Sequence, residues 1–190
     1  SADTIVSTQT TGAMGIVYMT EQQKVFCVYN DSANDGGRAY AKIGTVSGDS
    51  ITWGTGVKCG TNNNTLVIAN AYASVTYDTY SKLPAVTWRA TSSGDSVAVV
   101  AVKSISGTTP TFSNIVETSG GGGCSVPFVG NLNSTDGVLL IWRNSSGYGQ
   151  YSVVKTSSTT TNVTGENFLG LSAASYTNGQ EATIQISGNS

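Results

Sequence analysis

Three places in the sequence set an aromatic side chain beside a polar one: Tyr29-Asn30, Trp88-Arg89 and Trp142-Arg143. An exposed tryptophan next to an arginine could stack on a sugar ring and hydrogen-bond its hydroxyl groups, which would give a row of saccharide-binding positions. The alternative is that each ring plugs the core of its own unit while the arginine reaches solvent. Because equivalent positions in a repeat usually serve packing, the second interpretation is favoured.

Carboxylates are the other groups with catalytic potential, since two acids roughly 5 to 10 Å apart can hydrolyse a glycosidic bond. The candidates are Asp31, Asp35, Asp78 and Asp136. All four lie in predicted turns, where aspartate is favoured because its side chain bonds nearby backbone groups. Asp31 and Asp35 also make a weak calcium candidate, but the distant bidentate glutamate of such a loop is missing. Turns are favoured over both kinds of site, so no catalytic residue and no metal site are predicted.

The sequence contains no histidine, which removes the commonest general base and the usual catalytic triads. The glycine run 120–123 lacks the Lys-Ser/Thr pair of a phosphate-binding loop, so it is interpreted as a linker. We therefore expect a protein that is not an enzyme and needs no cofactor.

The amino-acid composition limits the kinds of partner that this protein can bind. Charged residues make up 11% of the chain and the formal net charge is -2, too little positive charge to hold a nucleic-acid backbone. No apolar stretch approaches the roughly 20 residues that span a bilayer, so membrane insertion is not expected. Of the three cysteines, Cys27, Cys59 and Cys124, at most two can pair, and Cys27 lies in an apolar run that predicts a buried, inert thiol.

An internal repeat organises the chain. Four landmarks recur 59 positions later without a gap: Tyr18 and Tyr77, Tyr29 and Trp88, Gly48 and Gly107, Trp53 and Phe112. A looser third copy begins near Ser125, in which Phe128 answers to Tyr77 and Trp142 to Trp88. The predicted organisation is an N-terminal arm (1–12), two repeat units (13–66 and 67–123), a shortened third unit (124–161) and a C-terminal segment (162–190).

Each full unit predicts about four strands, because β-rich runs alternate with polar or glycine-bearing turns. The predicted strands are 15–19, 24–29, 38–46 and 50–57 in the first unit, and 74–78, 83–89, 96–105 and 111–117 in the second. The predicted fold class is all-β, with tandem four-stranded antiparallel sheet units arranged as propeller blades or as a stack. Three blades are too few to close a propeller, so completion by homo-oligomerisation is expected.

Two segments carry a resemblance to a known family. The stretch from Gly44 to Gly54, Gly-Thr-Val-Ser-Gly-Asp-Ser-Ile-Thr-Trp-Gly, resembles the repeats of tail-fibre and related virion proteins of marine tailed phages, including cyanophages. The ending that opens with Thr164-Gly165-Glu166 and runs on through Asn167-Phe168-Leu169-Gly170 resembles the segment that follows those repeats. The second unit departs from this pattern, with Lys103-Ser104 in place of Gly-Thr. Ser190 also follows the ending closely, which leaves open a short virion protein or a trimmed piece.

The resemblance implies a virion structural protein at the particle surface, with other virion proteins as partners and host-surface glycan as a further one. Two other classes stay open on the sequence. One is a secreted bacterial adhesin or filament subunit built from the same kind of unit, and the other is a glycan depolymerase.

Overall fold

The computed structural model describes residues 14–31, 35–60, 68–90, 96–118, 124–133, 137–156, 171–172 and 184–185. Every regular element in these ranges is a β-strand, and the strands pair antiparallel in sheets of about four. The predicted all-β class with tandem antiparallel sheet units is therefore confirmed. No helix in the described ranges is long and apolar enough to cross a membrane.

The first two sheets contain five strands each. Those of the first sheet are β1 (Met14–Met19), β2 (Lys24–Asp31), β3 (Arg38–Ser47), β4 (Ser50–Trp53) and β5 (Val57–Lys58). Those of the second sheet are β6 (Ile68–Asp78), β7 (Leu83–Ala90), β8 (Ser96–Ser106), β9 (Thr109–Phe112) and β10 (Val116–Thr118). In both, the first three strands pair in chain order and the two short strands line the far edge of the third.

The third sheet has three described strands, β11 (Ser125–Asn131), β12 (Val138–Arg143) and β13 (Gly149–Val154), paired in chain order. These three sheets belong to one compact unit, residues 1–157. Residues 158–190 form another, in which β14 (Leu171–Ser172) pairs antiparallel with β15 (Ile184–Gln185). The predicted N-terminal arm, the glycine run 120–123 and Asp136 lie outside the described residues.

The 59-residue correspondence extends to the backbone. Strands β7 and β9 begin and end 59 residues after β2 and β4. The left-handed positions recur too: Gln23 (φ 51°) matches Lys82 (φ 58°), and Gly48 (φ 56°) matches Gly107 (φ 61°). Both glycines open a two-residue hairpin turn, where a positive φ is required. The predicted fourth strand of each unit is interrupted, in the first by Gly54–Gly56, and so forms two short strands.

The three sheets stack face to face, with the second in the middle. We call the side of each sheet that points toward the preceding sheet its back face, and the opposite side its front face. The front face of the first sheet packs on the back face of the second through Phe26, Val28, Ala41 and Ile43 against Val86, Trp88, Val100 and Val102. The front face of the second packs on the back face of the third through Ala85, Val97 and Val99 against Val129, Val138, Leu140 and Trp142.

Strand β8 departs from the repeat by one residue. Val28 pairs with Ala41 in the first sheet, so the offset predicts Val100 as the partner of Thr87, but Thr87 pairs with Val99. An irregularity between Val102 and Ser104 absorbs the slip. Residues 97–102 are apolar at every position, so either face of β8 can be buried and its register is weakly specified by pattern alone.

Polar contacts join the turns along one edge of the stack. Lys82 Nζ lies 2.6 Å from Glu21 Oε1, and Gln22 Nε2 donates to the Lys82 carbonyl at 3.0 Å. On the other side, Asn131 Nδ2 donates to Thr79 Oγ1 at 2.9 Å. The first strands of neighbouring sheets therefore end next to each other. The third sheet is aligned on the second in the same way as the second is aligned on the first.

The hairpin glycines provide a test of the repeated turn. Gly48→Ala and Gly107→Ala should each lower the free energy of unfolding by about 1–2 kcal/mol, because alanine strains a left-handed backbone even where space is open. Gly149→Ala is the matched control, since Gly149 has an ordinary φ and no atom within 4 Å of an added Cβ. Urea unfolding measures all three. Equal stability of the three variants would contradict the assigned turn geometry.

Candidate functional site

Trp88 lies in the core between the first and second sheets and is fully buried. Its indole Nε1 has no hydrogen-bond acceptor within the described part of the chain. Because successive side chains of a strand point to opposite faces, Arg89 points away from this core, and it is only partly exposed. Trp88 is thus unable to offer its ring to a ligand in solution.

Trp142 occupies the equivalent place one sheet further on. It packs with Val97, Val99, Cys124 and Leu140 between the second and third sheets, and 8% of its surface is exposed. Its neighbour Arg143 points to the front face of the third sheet and is exposed. Arg143 is therefore the most accessible of the six residues in the three aromatic-polar pairs.

Tyr29 points to the back face of the first sheet, on the side opposite Phe26 and Val28, and is 4% exposed. Its ring lies 6.0 Å from that of Tyr40, and Lys42 Nζ stands 5.8 Å from the ring centroid. Burial raises the pKa of the Tyr29 hydroxyl to about 12, so this phenol stays neutral at physiological pH.

Tyr29, Trp88 and Trp142 form no row of exposed rings, which agrees with the packing interpretation that the sequence favoured and not with the saccharide-binding alternative. All three rings point toward the back of their sheets, where the rings of the second and third sheets meet the preceding sheet. The physical reason is burial. In the pairs of Trp88 and Trp142 the ring has a larger apolar area than its polar neighbour, so the ring faces the adjacent sheet and the polar side chain points to the other side of the strand.

The weak calcium candidate is also not supported by the geometry. The Asp35 carboxylate accepts hydrogen bonds from Arg38, from Lys58 Nζ at 2.7 Å and from Tyr40 at 2.8 Å. The Lys58 and Tyr40 hydrogen bonds, with the nearby charges, lower the pKa of Asp35. Asp31 is buried at the end of β2, and the described residues contain no group of three or more potential ligands of the His, Cys, Asp or Glu type. Two cationic side chains hold the position that a metal ion would need.

Asp78 is fully buried and is the last residue of β6, where its carboxylate bonds the backbone of the turn that follows. Its carboxylate accepts from the backbone N–H groups of Tyr80 at 3.0 Å and Ser81 at 3.4 Å. It also accepts from Oγ1 of Thr156 at 2.6 Å, and Thr156 is the second residue after β13. The carboxylate thereby joins the second sheet to the end of the third.

Cys27, Cys59 and Cys124 are buried, and none of the three forms a disulfide bond. Burial raises the pKa of the Cys27 thiol to about 11, so its reactive thiolate form is scarce at neutral pH. The predicted burial of Cys27 is confirmed, and the raised pKa agrees with the prediction of an inert thiol.

An open groove of about 610 Å³ lies between the edge strands β10 and β13. Val116, Trp142 and Val154 contribute apolar surface, while Glu117, Gln150 and Ser152 contribute polar groups. Ser96 Oγ donates to Glu117 Oε2 at 2.8 Å at this edge. The groove is a gap at the rim of two stacked sheets, with one carboxylate and no second acid among its lining residues.

Sequence reasoning missed the front face of the third sheet. Across its three strands, Phe128 pairs with Ile141 and Ile141 with Tyr151, and their exposed fractions are 59%, 46% and 76%. Val153, 55% exposed, extends the patch. The signal was present in β12, where Val138 to Trp142 are apolar at every position, a pattern typical of a strand covered on both faces.

The looser third copy needs one correction. Phe128 was matched to Tyr77, but Tyr77 packs toward the first sheet while Phe128 points to solvent. The pairing of β11 shifts between Ser125 and Phe128, and Val126 has a left-handed φ of 52°. Val129 consequently takes the buried place on the back face.

Comparisons with known proteins found no matching family model, no matching curated protein and no matching solved structure.

The core position of Trp88 can be tested by truncation. Trp88→Ala should lower the free energy of unfolding by about 3–5 kcal/mol, because it leaves a large cavity between two sheets. Arg143→Ala should change it by less than about 0.5 kcal/mol, since that side chain is exposed. Urea unfolding with tryptophan-independent circular dichroism gives both values. A stable, folded Trp88→Ala protein would contradict the core assignment, and Trp88→Phe, with a smaller expected loss, keeps the comparison measurable.

The Asp78 junction gives a second test. Asp78→Ala should cost about 2–3 kcal/mol, because two turn N–H groups and the Thr156 hydroxyl lose their acceptor. Thr156→Val should cost less, and the double variant should be more stable than the sum of the two losses predicts, by about 1 kcal/mol. Asp49→Ala, in an exposed turn, is the control. Additive losses would mean that the two residues do not interact.

Proposed function

We propose that this protein is a structural component of a virion appendage of the tail-fibre type, and that it acts by assembling with further copies of itself and with other virion proteins. The single observation that carries the proposal is the stack of repeated sheets that ends in an exposed apolar face. The likeness of residues 44–54 to the repeats of such proteins supports the same conclusion.

The physical argument concerns how repeat arrays are stabilised. Each unit of an array gains stability from its neighbours, and a terminal unit needs a polar outer face to remain soluble alone. The front face of the third sheet carries Phe128, Ile141, Tyr151 and Val153, all about half or more exposed. A face of this kind marks an interaction site rather than a cap.

In this proposal the protein lies at the particle surface, and it does not bind saccharides through a row of exposed aromatic rings. Trp88 and Trp142 are buried, so their rings are committed to packing. Adhesion to a host would be a property of the assembled appendage and not of these side chains.

The test is to locate the polypeptide. Antibodies raised against the purified protein should label appendages of purified phage particles in immunogold electron microscopy, and mass spectrometry of the same particles should detect the chain. Antibody adsorbed with the purified protein is the control. Absence from particles together with labelling of filaments on uninfected bacteria would overturn the proposal in favour of an adhesin or filament subunit.

A further inference from the structure

The two ends of the stack differ in how far they are covered. On the back face of the first sheet, Cys27 and Tyr29 of β2 are 2% and 4% exposed, so this end is closed along its second strand. On the front face of the third sheet, Phe128, Ile141 and Tyr151 are 59%, 46% and 76% exposed, and they lie on three neighbouring strands. The front face of the third sheet is therefore the end that is open across its width.

A strained stretch of backbone directs Phe128 outward. Strand β11 carries one extra residue between Ser125 and Phe128, and Val126 in this stretch has a left-handed φ of 52°. A β-branched residue rarely adopts that conformation, because its side chain crowds the backbone. Without the extra residue, Phe128 would pair with Leu140 and point toward the second sheet. Because bulges and backbone strain are concentrated at functional positions, the outward ring is interpreted as a contact residue.

The centre of this face is a line of apolar side chains that runs at right angles to the strands. Phe128 is paired with Ile141, and Ile141 is paired with Tyr151. When a second copy faces the first across a two-fold axis parallel to this line, each of the three side chains meets its own counterpart. The contact then packs ring on ring at both ends of the line, and aromatic pairs add to the free energy of apolar burial.

The charges around this line suit a second copy in the same orientation. The strands β11, β12 and β13 contain no acidic residue, so no carboxylate would be buried at the contact. Arg143 is exposed and lies two residues beyond Ile141 on β12, where the two-fold axis brings it over Leu139 of the second copy. Lys155, also exposed, directly follows β13 and stays at the rim. Each cation thus avoids its counterpart, and its charged end can reach solvent while its aliphatic stem covers apolar surface.

We propose that the front face of the third sheet binds the same face of a second copy, about a two-fold axis along the line from Phe128 to Tyr151. The contact adds a fourth layer to a stack in which sheet faces already pack on each other twice. A contact between identical faces is closed, so association stops at two copies. This inference rests on the proposed function, because it names the partner of the exposed face and makes a pair of chains the unit from which the appendage is built.

The test introduces opposite charges at the residue that should meet its own counterpart. Phe128→Lys and Phe128→Glu should each be monomeric, because two like charges would face each other at the contact. An equal mixture of the two variants should regain the dimer, since opposite charges then meet. Phe128 is mostly exposed, so both variants should fold, which far-ultraviolet circular dichroism checks. Tyr80→Lys is the matched control, an exposed aromatic in the turn between β6 and β7 and outside this face.

Sedimentation velocity measures the assembly state. It extends to high protein concentration, because a face of three short strands is smaller than a standard interface. The parent protein and Tyr80→Lys should form dimers and nothing larger. Raising the salt concentration should strengthen the parent dimer, since salt screens the repulsion between two cationic faces, and should weaken the dimer of the two Phe128 variants, which depends on opposite charges.

Four outcomes would overturn the inference. The parent chain could be monomeric at every concentration, or it could form species larger than a dimer, which would require a second contact surface. The mixture of the two Phe128 variants could remain monomeric although the parent protein dimerises, which would mean that Phe128 meets a different residue. High salt could dissociate the parent dimer, which would indicate an acidic surface as the partner of this face.

The two proposals fail separately. Particle labelling with a protein that is monomeric would overturn only this inference, whereas a dimer whose polypeptide is absent from particles would overturn only the proposed function.

Discussion

The structure depends on the burial of sheet faces against one another. A twisted antiparallel sheet of four or five strands exposes too much apolar surface to be stable alone, so each sheet requires a neighbour. The second sheet meets this requirement twice, since β7 and β8 are buried on both faces. The strand composition follows from the same constraint: Val97 to Val102 carry no polar side chain, because both sides of the strand meet hydrophobic cores.

Polar groups in this stack align the sheets more than they stabilise them. The Glu21–Lys82 ion pair is exposed on both partners, and exposed pairs contribute little to stability. The Asn131 contact to Thr79 is likewise exposed. Both connect a turn of one sheet with a turn of the next, so they select one alignment among the many that an apolar interface would accept. Asp78 combines the two roles, since it is buried and reaches across to Thr156.

The strands and the repeat could be predicted from the sequence, because alternation, turn chemistry and the 59-residue match are local or periodic signals. The predicted strand 83–89 differs from β7 by one residue, and 38–46 differs from β3 by one. It was harder to predict which side chains of each strand point toward a core. Val97 to Val102 satisfy either register. The shift near Val126 that exposes Phe128 is marked only by Pro127, and a proline is also compatible with a regular edge strand.

The aromatic positions illustrate why a site is harder to predict than a fold. A tryptophan beside an arginine is compatible with a ligand-stacking surface and with a buried plug, since strand alternation separates the two side chains in either case. Only the presence of a sheet behind Trp88 and Trp142 distinguishes them, and that is a long-range property. The exposed apolar face around Phe128 becomes visible only once the order of the sheets is known.

The bond between Thr156 and Asp78 has a consequence for synthesis. The two residues are 78 positions apart. At roughly 5–20 residues per second, a ribosome needs on the order of 4–16 s to extend the chain from one to the other. During that interval water must solvate the carboxylate that Thr156 later covers, and the second sheet, once Thr118 has been added, has one side bare until the third sheet follows. The nascent polypeptide therefore passes through a stage in which its central layer is the most vulnerable to mispairing, and a chaperone that shields this layer would act before translation reaches the last strand.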